Sequence, residues 1–165
     1  MRVITSGLEW MGSGVGSIQT AVEELLDKSQ VDVTVVTYSL TIGAATFFDG
    51  IQRCLERGVR VSLLINRFEG QTKEMKSRIH SLANRELSFD LFDFVDPSGG
   101  DLHSKLVIVD RKRAIVGSAN LSWNGLVRNH ELAVLIEDEE EVSQIASTVD
   151  RLFRSTHATR ITPDN

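Results

Sequence analysis

Apolar and polar residues alternate along this chain with two different periods. Four β-branched or alternating runs have the pattern of strands; they are VDVTVVTYSL (31–40), VRVSLLIN (59–66), LSFDLFDF (87–94) and ELAVLIE (131–137). Four segments have the helical period; they are 18–28, 44–57, 71–85 and 139–154. A further apolar stretch, 101–120, predicts a hairpin. This alternation predicts an α/β fold with a central mixed sheet and helices on both faces.

The segment boundaries carry recognisable signals. Ser17 is a candidate N-cap for the first helix, and Gly58 directly follows the second. The acidic run Glu137–Glu141 is expected to open a surface helix. The glycine-rich stretch Met11–Ser17 lacks a following Lys-Ser/Thr and a strong preceding strand, so we interpret it as a flexible entry to the first helix and not as a P-loop.

Length and composition favour one soluble domain. The chain has 165 residues, of which 41% are hydrophobic and 25% charged. We expect a single domain over residues 1–156 and a flexible tail over 157–165, where no pattern remains. Cys54 has no partner for an internal disulfide, which favours a reduced, cytoplasmic setting. The sequence contains neither a signal-peptide core nor an apolar run approaching the ~20 residues of a membrane span.

The predicted hairpin, DLHSKLVIVDRKRAIVGSAN, contains four polar residues that an apolar hairpin does not need. If the chain turns at Arg111–Lys112, Lys105 lies opposite Ser118 and His103 opposite Asn120, and any even shift of register keeps all four on one face. Burying such groups without partners costs about 1–3 kcal/mol each. We therefore expect a site for a polar ligand at the end of the hairpin.

The chemistry of these four residues suits a phosphate group. Lys105 offers a positive charge, and Ser118 and Asn120 offer hydrogen-bond donors. His103 can act as a nucleophile or as an acid and base near neutral pH. The sequence shows no convergent pair of carboxylates at metal-ligand spacing, so we expect phosphodiester chemistry without a metal or other cofactor.

Charge is distributed unevenly. The net charge is −5, yet residues 101–130 carry five Lys/Arg against two Asp, so this stretch is +3 and the remainder −8. The basic residues outside the hairpin face are candidates to hold a nucleic-acid backbone, although such residues are usually solvated; they are Arg111, Lys112, Arg113 and Arg128. The acidic total suggests that weak affinity for nucleic acid is supplemented by another domain or partner protein.

The pattern His103-x-Lys105-x4-Asp110-x6-Gly117-Ser118-x-Asn120 resembles the signature of the phospholipase D superfamily at all its fixed positions. The resemblance implies a phospholipase D-like fold, with His103 attacking phosphorus to form a phosphohistidine. Lys105, Ser118 and Asn120 would bind the phosphoryl oxygens. With one motif in a short chain, the protein is most similar to the nuclease-like members.

Two acidic residues accompany the motif. Asp110 is out of phase with His103, which favours a structural or turn-fixing role over a catalytic one. Glu131 lies on the following strand, where the family commonly has an acidic residue that supports the histidine; the alternative is a plain salt bridge. Trp123, just after the motif, has two interpretations, a core or dimer-interface residue and a base-stacking platform.

The implied chemistry needs two histidines, and the chain has one motif. His80, His130 and His157 lack its context. The resemblance therefore implies a homodimer in which motif faces motif across a two-fold axis and the two subunits share one site. The leading hypothesis is an endonuclease that cleaves DNA or RNA; the alternatives are a lipid phosphodiesterase of phospholipase D or cardiolipin hydrolase type, and an inactive nucleic-acid-binding or scaffold domain.

Overall fold

A computed structural model describes residues 1–10, 14–41, 43–85 and 87–162. The strands are β1 (Arg2–Ser6), β2 (Gly16–Ser17), β3 (Asp32–Thr37), β4 (Arg60–Asn66), β5 (Phe89–Phe94), β6 (Lys105–Val109), β7 (Arg113–Gly117), β8 (Glu131–Ile136) and β9 (Ala158–Ile161). The helices of more than two turns are α1 (Ile18–Asp27), α2 (Ala45–Glu56), α3 (Lys73–Arg85) and α4 (Glu139–Phe153). All strands join one mixed sheet in the order β2-β1-β8-β7-β6-β3-β4-β5-β9.

The direction of the strands decides which residues meet. β3, β4 and β5 are parallel, while β6, β7 and β8 form an antiparallel meander beside β3. The carboxyl ends of β3 and β7 therefore lie at the same edge as the amino ends of β6 and β8. We call this the upper edge, and the opposite edge, with the β6–β7 turn, the lower edge. Residues from four separate strands can converge at the upper edge.

Apolar side chains on the two faces of the sheet form two cores. On one face α1, α2 and α3 pack against the sheet through residues such as Leu26, Phe47 and Met75. On the other face the core includes Val142, Ala146 and Val149 of α4. The predicted mixed sheet with helices on both faces is confirmed. No helix in the described part of the chain is both long and apolar enough to cross a membrane.

The predicted helix boundaries are also confirmed. The Ser17 hydroxyl accepts from the Thr20 N–H at 3.4 Å, so Ser17 is the N-cap of α1. Gly58 follows α2 with a φ of +79°, a conformation that residues with a side chain rarely adopt. At α4, Asp138 accepts from the backbone of Glu140 and Glu141, and the acidic run lies at the positive end of the helix dipole.

Two predictions about the chain ends are wrong. A strand, β1, does precede the glycine-rich stretch and pairs with β8 over its whole length. The supposed flexible tail contains β9, which pairs antiparallel with β5 from Ala158 to Ile161. Both are short strands that are held in place by pairing with strands distant in sequence, so a local pattern does not predict them. Three of the seven residues of the predicted flexible entry, Met11–Ser13, lie outside the described residues, and the last two, Gly16–Ser17, form β2.

The predicted hairpin forms, but its register is wrong by one residue. Lys105 pairs with Gly117, and Val109 pairs with Arg113. The turn therefore has three residues, and two of them, Asp110 and Arg111, have φ values of +53° and +52°. An odd shift takes Ser118 out of phase with Lys105. The two residues still lie at the same edge, because β6 begins and β7 ends there.

Candidate active site

His103 and Lys105 meet at the upper edge, where the chain enters β6. The Lys105 Nζ lies 2.9 Å from Nδ1 and 3.1 Å from Nε2 of the His103 ring, and it donates to the His103 carbonyl oxygen at 2.8 Å. His103 is exposed, whereas Lys105 is only 7% exposed. A solvent-accessible imidazole is thus held beside the ammonium group of a largely buried lysine.

The burial of Lys105 follows from the register. Because Lys105 pairs with Gly117, its aliphatic stem lies on the α1 face of the sheet, in a small gap also lined by Ile18, Val22 and Ala119. This loss of solvent lowers the pKa of Lys105, and the nearby Glu131 carboxylate raises it in part. The ammonium group is therefore a positive charge beside the exposed histidine.

Tyr38 forms a wall of the same site. It follows β3, and its ring centroid lies 4.9 Å from that of His103 at an interplanar angle of 58°. The Lys105 Nζ lies 5.6 Å from the Tyr38 ring centroid. Tyr38 directly follows β3, whose carboxyl end lies at the upper edge, and this position places it beside the histidine.

Ser118 and Glu131 form a second pair at this edge. The Ser118 hydroxyl donates to Glu131 Oε2, and the Asn129 amide donates to Oε1 at 3.3 Å. The hydrogen-bond partners described for the Glu131 side chain do not include His103, so orientation of His103 by Glu131 stays a prediction for a two-subunit assembly. Asn129 is a residue that the motif did not indicate, since it lies on a loop with no periodic signal.

Asn120 lies beyond the end of β7 with its side-chain oxygen buried and without a partner among the described residues. Its backbone is fixed by close packing. A Cβ at Gly125 would lie 2.2 Å from the Asn120 carbonyl oxygen, so only glycine allows this approach. A Cβ at Gly117 would similarly lie 2.3 Å from the Ala133 Cβ. These two glycines explain how β7, β8 and the following loop approach closely enough to present Ser118 and Asn120 together.

Asp110 lies at the lower edge, far from the histidine. Its carboxylate accepts from the backbone N–H groups of Gln30, Val31 and Asp32 at 2.7–3.1 Å. These bonds tie the β6–β7 turn to the start of β3 and support the structural interpretation over the catalytic one.

The basic residues of the turn do not approach the site. Arg111 pairs with Asp150 of α4 at 2.7 Å. At about 3.3 Å per residue, Arg111 lies roughly 20 Å along the strand from Lys105. The turn closes the opposite end of the hairpin from the motif, so contact of Arg111, Lys112 and Arg113 with a nucleic-acid backbone stays a prediction that this position does not favour.

Trp123 is 53% exposed, which excludes the core interpretation and leaves an interface or a stacking platform. Arg128 is also exposed, at the end of a short π-helix over Asn124–Arg128. His130 packs against Trp10, with ring centroids 6.3 Å apart. Within the ranges that the structure describes, no group of three His, Cys, Asp or Glu side chains could hold a metal ion.

Known proteins are similar to this chain in sequence and in fold. The family model described as "Cardiolipin synthase, PLD-like domain" matches residues 22–153, most of the chain. The chain belongs to the phospholipase D superfamily. A phospholipase D from Rickettsia conorii is 29% identical over 115 residues, which are 70% of this chain and 54% of that protein. The chain thus spans about half the length of the curated relatives it matches.

Solved structures of phospholipase D-like proteins have the same fold. Nuc from Salmonella typhimurium, a phospholipase D family member, superposes with a TM-score of 0.77 at 18% identity, covering 98% of this chain and 97% of that one. NucT from Helicobacter pylori superposes with a TM-score of 0.73 at 16% identity, covering 86% and 89%. These matches show a phospholipase D fold across nearly the whole chain, in a superfamily of phosphodiesterase-type hydrolases.

Proposed function

We propose that this phospholipase D-like chain is a metal-independent phosphodiesterase that cleaves nucleic acid, most simply an endonuclease. The observation that carries the proposal is the exposed His103 ring held within hydrogen-bond distance of the ammonium group of the buried residue Lys105. The histidine is accessible to a substrate, and the lysine supplies positive charge where a phosphate oxygen would lie. The unpartnered oxygen of Asn120 and the hydroxyl of Ser118 add polar groups at the same edge.

The proposed reaction has two displacements at phosphorus. A ring nitrogen of His103 attacks the phosphodiester, the bond to the leaving oxygen breaks, and a second histidine protonates that oxygen. Water then loses a proton to the second histidine and attacks the phosphohistidine, and the bond between phosphorus and nitrogen breaks. Lys105 and Asn120, with Ser118, stabilise the charge that develops on the phosphoryl oxygens.

The second histidine in this proposal is the partner subunit's His103. The other three histidines of the chain contact Phe68, Trp10 and Phe94 and are not part of the motif. An apolar cleft of about 780 Å³ lies between α4 and the sheet, and Leu102 and Ser104, on either side of His103, line it. This cleft lies on the α4 face of the sheet, opposite the face that holds the Lys105 side chain, so the shared site is inferred from the single motif and not from the cleft.

The nucleic-acid substrate rests on the single-motif organisation, which resembles the nuclease-like members of the superfamily. A lipid phosphodiester is the second candidate, because several relatives are named phospholipase D. The reacting groups of both substrates are the same. An inactive scaffold is less well supported, since it would have no use for a lysine buried beside an exposed histidine.

The test is cleavage of labelled single- and double-stranded DNA and RNA in excess EDTA. We expect the native protein to cut and His103→Ala to lose at least about 1000-fold in rate. His80→Ala, a histidine substitution on α3, is the matched control and is expected to remain active. Cleavage of phosphatidyl lipids but of no polymer would move the assignment to the lipid candidate. A monomer by light scattering at the assay concentration would remove the shared-site model.

A further inference from the structure

Trp123 lies at the start of the short helix over Asn124–Arg128, directly after the motif. Asn120 is three residues earlier, and the intervening backbone is compact, with the Ser122 N–H donating to the Asn120 carbonyl oxygen at 2.8 Å. Three residues span at most about 11 Å. The indole is therefore within reach of the nucleotides that flank a phosphate bound at Asn120, since stacked nucleotides of one strand are about 3.4 Å apart.

The loop after β3 holds the base of the Trp123 side chain in place. Leu40 forms a β-bridge with Leu121, and the Thr41 N–H donates to the Leu121 carbonyl oxygen at 3.3 Å. A Cβ at Gly43 would lie only 3.0 Å from the Trp123 Cβ. Tyr38, at the start of the same loop, contacts His103. The loop after β3 therefore contacts His103 through Tyr38 and also packs against the base of the exposed Trp123 side chain.

The surroundings of Trp123 favour an aromatic ligand over an apolar one. A residue that inserts into a protein core or a lipid bilayer is normally part of a larger apolar surface. The described neighbours along the chain and across the loop include Thr41, Gly43 and Asn124, all exposed. A half-exposed indole on a polar rim is instead typical of a platform on which a base stacks.

Electrostatics distinguish between paired and unpaired nucleic acid. Binding of a duplex draws mainly on many phosphate contacts from Lys and Arg. Here the net charge is −5, the basic turn lies at the lower edge, and Arg67 near the site is paired with Asp101 at 3.1 Å. A duplex also keeps the faces of its bases stacked on each other. Only an unpaired base offers a free face to Trp123.

We infer that Trp123 stacks on an unpaired base beside the scissile phosphate and thereby directs the site to single-stranded nucleic acid. This inference rests on the nuclease function proposed above and names its substrate class. Tyr38 and Lys105 would lie on the phosphate side of this base, and the indole would fix the position of the strand. Base stacking on Trp123 would supply binding free energy that phosphate contacts do not supply here.

The test compares a single-stranded oligonucleotide with one of equal length that is abasic next to the cleavage position. The two substrates have the same phosphates and differ in the base. We expect the native protein to prefer the intact strand by about 5- to 100-fold in kcat/KM, the range of stacking on one aromatic residue. Trp123→Ala should lose this preference, and Trp123→Phe should retain most of it. Trp10→Phe, the matched aromatic control, should keep the native ratio.

Fluorescence gives a second readout that does not need turnover. In Trp10→Phe, Trp123 is the one remaining tryptophan, because the chain contains two. We expect the intact strand to quench its emission and the abasic strand to leave it nearly unchanged. Equal cleavage of both strands by the native protein and by Trp123→Ala would overturn the stacking inference while the nuclease proposal stands. Cleavage of no nucleic acid, with a blue shift on phosphatidylglycerol vesicles, would overturn both.

Discussion

Gly125→Ala is a change of one methyl group that should act on the site through packing alone. The added Cβ would lie 2.2 Å from the Asn120 carbonyl oxygen and 2.8 Å from its nitrogen. An ordinary van der Waals contact needs about 1 Å more. Both contacts are with backbone, which cannot rotate away, so the loop that presents Asn120 must shift by a distance of this order.

A displacement of about 1 Å in a positioned group can cost about 100-fold in rate. We expect Gly125→Ala to lower kcat/KM for a small diester, bis(p-nitrophenyl) phosphate, by about this factor. Overpacking should cost about 1–3 kcal/mol of stability, and the melting temperature should fall by a few degrees. Helix propensity acts in the opposite direction, because alanine is favoured over glycine in the short helix that contains Gly125.

Gly16→Ala is the matched control. A Cβ there has the Ile4 Cγ2 as its nearest neighbour at 3.6 Å, which is an ordinary contact. This variant should keep native kinetics and a native melting temperature. The reasoning is refuted if Gly125→Ala retains kcat/KM within about threefold of the native value, because the loop would then absorb the methyl group without moving Asn120.

Two further changes test the charges of the site and of the turn. Burial lowers the pKa of Lys105 and the Glu131 carboxylate partly offsets this, so Glu131→Gln should lower that pKa further and move the alkaline limb of the pH profile of kcat/KM to lower pH. The control is Glu137→Gln, just beyond the other end of β8, which should leave the pH profile unchanged. If the alkaline limb does not move in Glu131→Gln, Glu131 does not raise the pKa of Lys105. Asp110→Ala removes the acceptor of three backbone N–H groups and should cost about 2–4 kcal/mol in urea unfolding. A loss of kcat without a loss of stability in Asp110→Ala would favour a catalytic role instead.

Much of the fold could be predicted from local signals. The β-branched runs of β3 and β4 predicted their strands, because both are buried on two sides and read as nearly continuous apolar sequence. Ser17 and Gly58 predicted helix ends, since their roles depend only on neighbouring backbone. The hairpin pattern also predicted that the motif residues lie at one end of the hairpin, which is the upper edge of the sheet.

The hairpin register could not be predicted from local signals. Two non-glycine residues, Asp110 and Arg111, adopt positive φ, which is uncommon for residues with a side chain and is not signalled by a glycine in the turn. Bonds from Asp110 to residues about 80 positions earlier hold that conformation. Three other features also depend on partners distant in sequence. They are the ion pair of Arg111 with Asp150, the contacts of Glu131 and the pairing of β9 with β5.

The strand β9 also bears on aggregation. Its bonds to Leu91–Phe94 cover the outer side of β5, a strand that presents Phe89, Leu91 and Phe94 to the cores. A chain shortened after Thr156, where the pattern of the sequence ends, would leave the N–H and C=O groups of β5 open to any other strand. Such a fragment would retain every residue of the motif and would still tend to join edge to edge into insoluble assemblies. The strand β9 therefore protects the protein from aggregation, although it contributes no residue to the candidate active site.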